Sequence, residues 1–351
     1  MTIGPLDGLR RPELVVAPDD VINWHIFDGM QTGAGSNWPR YIQYEGNNTT
    51  LFDWMRDRET EEVHFVPRDN IDLDASEVQL DGLSLSPGGH RIRMTLPRTL
   101  KRLSIMGDPK LVAFDLPLGA TWPDIHLSDN GVLASIDGLP SLTGVRSLGI
   151  RNTVLGTPFD CRSLLSLRNL DHLRLYGAAA HLEALAALPL KGLELRFVPD
   201  LGGLPDLTTW PGLGYFIAWN VDEGVGKTLR KAADQLARQL GEDGTSQVSK
   251  LRSRQWFIEE CGLPFGGWSS KNEKAASKAY KAASKRLRAA TIKDEARAAV
   301  TVFVDVVNRL SGIETSERDD AGDAVAMLAA VRPDLIGVEE ALAWFDETRD
   351  F

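Results

Sequence analysis

Between Leu80 and Trp219 one short pattern recurs: an apolar residue, two others, an apolar, one other, an apolar. It reads Leu80-x-x-Leu83-x-Leu85, Leu100-x-x-Leu103-x-Ile105, Trp122-x-x-Ile125-x-Leu127 and Val145-x-x-Leu148-x-Ile150. It continues as Leu170-x-x-Leu173-x-Leu175, Leu190-x-x-Leu193-x-Leu195 and Leu213-x-x-Phe216-x-Ala218. The central positions 83, 103, 125, 148, 173, 193 and 216 are 20 to 25 residues apart. The closing alternation has the two-residue period of a strand, in which successive side chains point to opposite faces. A lone strand of this length cannot bury its apolar face, whereas copies stacked in parallel share one continuous core. The returns between copies fit loops or short helices. Leu182, Leu185 and Leu188 lie at helical spacing, as do Leu164, Leu165 and Leu167, and Pro109, Pro117, Pro140, Pro158, Pro189 and Pro205 punctuate the returns.

The alternation also sorts the outward side chains into three columns. The first is Gly82, Arg102, Asp124, Ser147, His172, Gly192 and Tyr215. The second is Ser84, Ser104, His126, Gly149, Arg174, Glu194 and Ile217, and the third Ser86, Met106, Ser128, Arg151, Tyr176, Arg196 and Trp219. Early copies present small residues. Later ones present Arg151, His172, Arg174, Tyr176, Arg196, Tyr215 and Trp219, and Arg, Tyr and Trp are the types that dominate interface energetics. These seven are the expected protein-binding residues.

A period of 20 to 25 residues built on L-x-x-L-x-L resembles the leucine-rich repeat family in a degenerate, bacterial form, over about 40% of the chain. The resemblance implies an α/β fold: a leucine-rich-repeat solenoid with a curved parallel sheet. The family usually places Asn or Cys soon after the strand, where the side chain bonds the turning backbone; Asn152 is the residue near such a place. Solenoids need their first apolar edge covered. We therefore expect residues 1–79 to form an N-terminal capping region, 80–221 the repeats and 222–351 a C-terminal all-α bundle. Within the cap, residues 1 to about 20 read as an extended lead-in. The aromatic group Trp24, Phe27, Trp38, Tyr41, Tyr44, Phe52 and Trp54 reads as a small core, "TTLFDWMRDRE" as a helix capped by Thr49 or Thr50, and "EEVHFV" and "NIDLD" as the closing strands.

After Trp219 helical spacing takes over. "GKTLRKAADQLARQL" carries Leu229, Ala233, Leu236 and Leu240 on one face, and "QVSKLRSRQWFIEECG" reads as a helix ending at Gly262. "KDEARAAVTVFVDVVNRL" predicts an inward stripe of Ala299, Val302, Phe303, Val306 and Leu310, and Thr315 or Ser316 is expected to cap the helix that follows. The helix 271–288 aligns Lys271, Lys274, Lys278, Lys281, Lys285 and Arg288 on one face, opposite Ala275, Ala276, Ala279, Ala283 and Leu287. We take Lys274, Lys278, Lys281 and Lys285 as a secondary basic patch, suited to an acidic partner, a nucleic-acid backbone or an acidic surface of the same chain.

Candidate chemistry is sparse. Gly224-Val-Gly-Lys227-Thr228 has the end of a phosphate loop, but Val221 stands where the first Gly belongs, and Asp222 and Glu223 put negative charge where phosphates would sit. The expected alternative is a helix start capped by Asp222. His25, His64, His90, His126, His172 and His181 show no metal-ligand spacing, no nucleophile motif is present, and Cys161 and Cys261 are far apart. We expect no enzyme, metal or cofactor. The 351 residues carry 43% apolar and 25% charged side chains with a net charge of −10, which disfavours nucleic acid as the main partner. No secretion signal or long apolar run is evident, so a cytoplasmic protein without a membrane span is expected. The function expected is a non-enzymatic module gripping another protein with its repeat face. Bacterial proteins pairing degenerate repeats with an appended domain resemble immunity proteins of toxin systems, and an acidic chain suits a basic toxin domain. The alternative is a nucleotide- or nucleic-acid-linked regulator using Lys227 and the helix 271–288.

Overall fold

The structure is a computed structural model that describes residues 2–3, 12–16, 22–129 and 133–350. The chain is mixed α/β and divides into two compact units, Met1–Arg254 and Gln255–Phe351. The first is built on a large parallel sheet. Its strands add in chain order: β2 (Leu14–Val16), β3 (Tyr41–Glu45), β4 (Thr60–Val66), β6 (Leu80–Leu85), β8 (Arg102–Met106), β10 (Asp124–Ser128), β11 (Ser147–Arg151), β13 (His172–Tyr176), β15 (Gly192–Arg196), β16 (Tyr215–Asp222) and β17 (Thr245–Arg252). A short β1 (Thr2–Ile3) pairs antiparallel with β2. Successive strands pair in register, so Ile42, Val63, Leu83, Leu103, Ile125, Leu148, Leu173, Leu193 and Phe216 fall in one line. These side chains are 0–2% exposed. Each buried leucine contributes roughly 1.5–3 kcal/mol relative to leaving it in water, and the line is continuous because no strand slips.

The returns change character along the unit. Early ones form a second parallel sheet, β5 (Ile71–Asp74), β7 (Ile92–Thr95) and β9 (Val112–Asp115). Later ones are 3-10 turns at Cys161–Ser166, Leu182–Ala187 and Leu207–Thr209, and β12 (Phe159–Asp160) pairs with β14 (Ala179–Ala180). The last return is α2 (Glu223–Leu240), whose Leu229 and Ala233 pack into the same core.

Several expectations need correcting. Strands β3 and β4 lie in the large sheet itself, and "NIDLD" is β5 of the second sheet, so residues 1–79 are not a cap distinct from the repeats. Ile42-x-Tyr44 and Val63-x-Phe65 take the register of Leu83-x-Leu85 although their flanking residues lack the full phrase. The aromatic group is a core: Trp24, Phe27, Tyr44, Phe52 and Trp54 are 1–6% exposed, and Trp24 stacks on Trp54 with centroids 5.9 Å apart. The helix there, α1 (Thr50–Trp54), gains no side-chain cap from Thr49; Asn48 Oδ1 accepts from the Thr50 amide at 3.0 Å instead. The residues of the lead-in outside 2–3 and 12–16 lie beyond the described part.

At the other end, residues 245–252 are a strand, not a helix, and α2 is therefore a strand-to-strand crossover. The compact boundary falls after Arg254 rather than at 221. Val248, 7% exposed, and the partly buried Leu251 are the inward apolar residues of β17; three positions apart, with Lys250 at positive φ between them, they show no two-residue period, and the open edge of β16 decides the conformation.

The second unit holds α3 (Arg254–Cys261), α4 (Ser270–Ala289), α5 (Lys293–Asn308), α6 (Thr315–Ala329) and α7 (Val338–Thr348). Tyr280 meets Phe303 edge-on at 6.3 Å in its core. On α5 the inward stripe is Ala296, Ala299, Val300, Phe303, Val304 and Val307, while Val302 is 39% exposed. The run from Val300 to Val307 is apolar nearly all round, so its phase is set by the α4 and α7 neighbours. Glu314, not Thr315 or Ser316, caps α6, in a reciprocal pair with Glu317. Among the described residues no helix is long and apolar enough to cross a membrane.

Candidate functional site

The outward columns of the large sheet are real lines of neighbours. Met106, Ser128, Arg151, Tyr176, Arg196 and Trp219 face one another strand by strand. So do Ser104, His126, Gly149, Arg174, Glu194 and Ile217. Five of the seven expected residues, Arg151, Arg174, Tyr176, Arg196 and Trp219, line one concavity of about 640 Å³ with Met106, His126 and Glu194.

Arg174 is the centre of its polar network. Its Nη1 lies 2.9 Å from His126 Nε2, and its Nη2 donates to Asp124 Oδ2 at 3.1 Å and Ser147 Oγ at 3.3 Å. His126 reaches it across Gly149, where a Cβ would overlap the imidazole Nδ1. Burial pushes the His126 pKa below the ordinary 6.5, and the Arg174 charge pushes it the same way. His126 Nε2 therefore accepts the hydrogen bond that Arg174 Nη1 donates. Burial alone would raise the Asp124 carboxyl, but hydrogen bonds from Ser147 and Arg174 outweigh it and hold the carboxyl below 3.8. Arg196 Nε donates to Glu194, a carboxylate only 7% exposed.

The wall is aromatic. The Arg151 guanidinium lies over the Tyr176 ring at 4.5 Å. Phe197 bridges Tyr176 and Trp219 at 5.0 Å from each centroid. Its ring is there because its backbone is left-handed, φ 52°, with its amide donating to the Trp219 carbonyl at 3.0 Å. Gly107 and Gly177, directly after β8 and β13, also have positive φ, as does Asn220 within β16.

His172 and Tyr215 stand apart from this concavity, at the other ends of their strands. His172 Nδ1 lies 2.8 Å from Asp171 Oδ1, whose second oxygen accepts from Arg146 Nη2 at 2.5 Å. Asp171 is 6% exposed; burial raises its pKa, and the bonds from Arg146 and His172 more than reverse that. Tyr215 is 37% exposed, its phenol pushed up by burial and then by Glu194. Asn152 bonds the backbone of the turn that follows β11. It is 3% exposed, its Nδ2 donates to the Thr157 carbonyl at 2.7 Å and its Oδ1 accepts from the Thr153 amide at 2.9 Å.

Position in a column was enough to find His126 and Glu194 as neighbours of Arg174. Phe197 carried no such signal, because it follows the strand phrase and its direction depends on a positive φ.

The other sequence candidates resolve differently. Gly224 to Thr228 form the first turns of α2, not a loop, and Asp222 accepts from the Val225 amide at 3.0 Å where a phosphate would have to lie. On α4, Lys281 pairs with Glu260 at 2.8 Å and Arg288 with Glu259, so α3 supplies part of the acidic surface the stripe needs. Lys274, Lys278 and Lys285 are exposed and form no ion pair among the described residues. Among those residues no three His, Cys, Asp or Glu side chains are placed to hold a metal. Cys161 is buried, its thiol pushed up to about 12 by burial and then by Asp160. Comparison with protein-family models, curated proteins and solved structures finds no match for this chain.

Proposed function

We propose that the stacked strands are the rungs of a leucine-rich-repeat-type solenoid and that the chain is a non-enzymatic module docking another protein on the outward face of β10 to β16. One observation carries this reading: the register of the sheet converges Arg151, Tyr176, Arg196 and Trp219, with Phe197 beside them, on a single concavity. Aromatic and Arg side chains held by their neighbours before binding lose little further freedom on contact, which is the property of interface anchors. His126, Asp124, Arg174, Glu194 and Arg196 are engaged with one another in structural pairs, which supports binding over catalysis. Three arginines in the cleft do not support the narrower expectation of a basic toxin domain as the partner.

The test is recovery of partner from native cell extract by the full chain and by the Arg174→Glu and Arg196→Glu variants, each first confirmed to melt cooperatively. Loss of a partner with both substitutions is expected. Unchanged recovery sinks the proposal. Loss with Lys274→Glu and Lys278→Glu alone would move the interface to α4 and revive the basic-helix alternative.

A further inference from the structure

Arg151 is the guanidinium of the cleft that none of the described acids takes up. Among the described residues it makes no hydrogen bond and no ion pair, and it lies over Tyr176 at 4.5 Å. Its neighbours differ. Arg174 commits both terminal nitrogens to His126, Asp124 and Ser147, and Arg196 gives Nε to Glu194. Lying over the Tyr176 ring leaves all five N–H donors of the Arg151 guanidinium unused, and that planar fork is matched to a bidentate carboxylate. Asp124 and Glu194 are already paired, so the cleft keeps the Arg151 charge uncompensated inside a chain of net charge −10. Beyond Tyr176, along the same face, the Phe197 and Trp219 rings offer apolar surface.

The geometry points to an acidic segment of the partner protein as the occupant, with an Asp or Glu carboxylate accepting two hydrogen bonds from Arg151 and an adjoining apolar side chain on Trp219. This inference rests on the docking reading above and sharpens it. Charge complementarity selects the occupant: a basic segment would meet Arg151 unopposed. A nucleic-acid strand would bring many charges against an acidic chain, whereas a segment with one or two carboxylates meets the local surplus alone.

The experiment uses the full chain and fluorescence anisotropy at low salt. The probes are a labelled four-repeat Glu-Tyr-Gly peptide, its Gln-Tyr-Gly counterpart and an oligothymidylate of similar length. The Glu peptide is expected to bind about tenfold more tightly than the Gln peptide, the scale of one charge-assisted contact. Arg151→Ala abolishes that preference, Arg151→Lys retains part of it, and Arg93→Ala, on the second sheet, leaves it intact. Arg151 is exposed, so its variants are expected to fold; matched melting curves verify this. Equal binding of the two peptides, no binding of either, an acidic preference that survives Arg151→Ala, or tighter binding of the oligothymidylate overturns the inference. Self-association of the chain that Arg151→Ala dissolves would assign the face to a second copy and overturn it too. Equal peptide binding that is lost in Trp219→Ala removes the acidic partner and leaves the docking reading standing. That reading falls only if Arg174→Glu and Arg196→Glu leave partner recovery unchanged.

Discussion

Arg174 reaches back two strands to His126, 2.9 Å from its Nε2, over a Gly149 that has no side chain to stop it. The glycine is required by its neighbour rather than by its own backbone, since its φ is not positive. Gly149→Ala drives a methyl group into the imidazole and breaks the Arg174 contact. A loss of about 1–3 kcal/mol is expected, as for overpacking elsewhere, read from denaturant unfolding. Gly192→Ala meets the His172 ring in the same way, but His172 is 48% exposed and swings into solvent. A smaller loss at Gly192 than at Gly149 is the expected order, and the reverse order would refute this account of the network.

The same pair makes stability depend on pH. His126 is depressed below 6.5 by burial and by Arg174, and His64 by burial. The unfolded chain therefore binds protons first. Stability is full above about pH 6.5 and falls as pH drops from there toward the folded-state values. His126→Gln keeps an acceptor for Arg174 without a titrating ring. Urea midpoints measured from pH 7.5 down to 5.5 should fall less steeply in His126→Gln than in the wild type, with His64→Gln removing a further part. Parallel pH profiles for all three proteins would contradict the assignment.

Much of this architecture was legible because a parallel stack repeats one demand. Each strand must supply two inward apolar residues at fixed spacing, and Leu103-x-Ile105 or Leu193-x-Leu195 announces that. Legibility failed where the demand is met by fewer or larger residues. Val248 and Leu251 mark β17 three positions apart instead of two, and Tyr44 and Phe65 fill their rungs without flanking leucines. The columns of the site followed from strand alternation, so Arg151, Tyr176, Arg196 and Trp219 were placed together in advance. Phe197 was not, since a turn residue's direction is set by backbone dihedrals that no periodicity reports. Nor could the columns show that His172 is held at Asp171, away from the cleft.

The start of α2 separates a phosphate loop from a packed helix. Gly226 lies against Leu251, where a Cβ would come within 2.5 Å of Leu251 Cδ2, and Lys227 is exposed. Gly226→Val should cost about 1–3 kcal/mol of stability through overpacking. Lys227→Ala should change stability by no more than about 0.5 kcal/mol, as surface substitutions do. Magnesium-ATP should raise the melting temperature of neither the wild type nor Lys227→Ala. A nucleotide-dependent rise that Lys227→Ala removes would restore the phosphate-loop reading.

Phe197 stands in a left-handed turn, φ 52°, that Gly177 fills after the preceding strand of the sheet. A Cβ in that conformation costs roughly 1 kcal/mol relative to glycine. The ring's contacts with Tyr176 and Trp219 hold it there. Truncation to alanine removes those contacts and keeps the backbone penalty, while truncation to glycine removes both. Phe197→Gly is therefore expected to be more stable than Phe197→Ala by about 1 kcal/mol, the opposite of the order at an ordinary strand or helix position. Both variants should equally lose the near-ultraviolet dichroism that Trp219 owes to its neighbour. If alanine proves the more stable replacement, the turn is not left-handed in solution, and the aromatic bridge between Tyr176 and Trp219 falls with it.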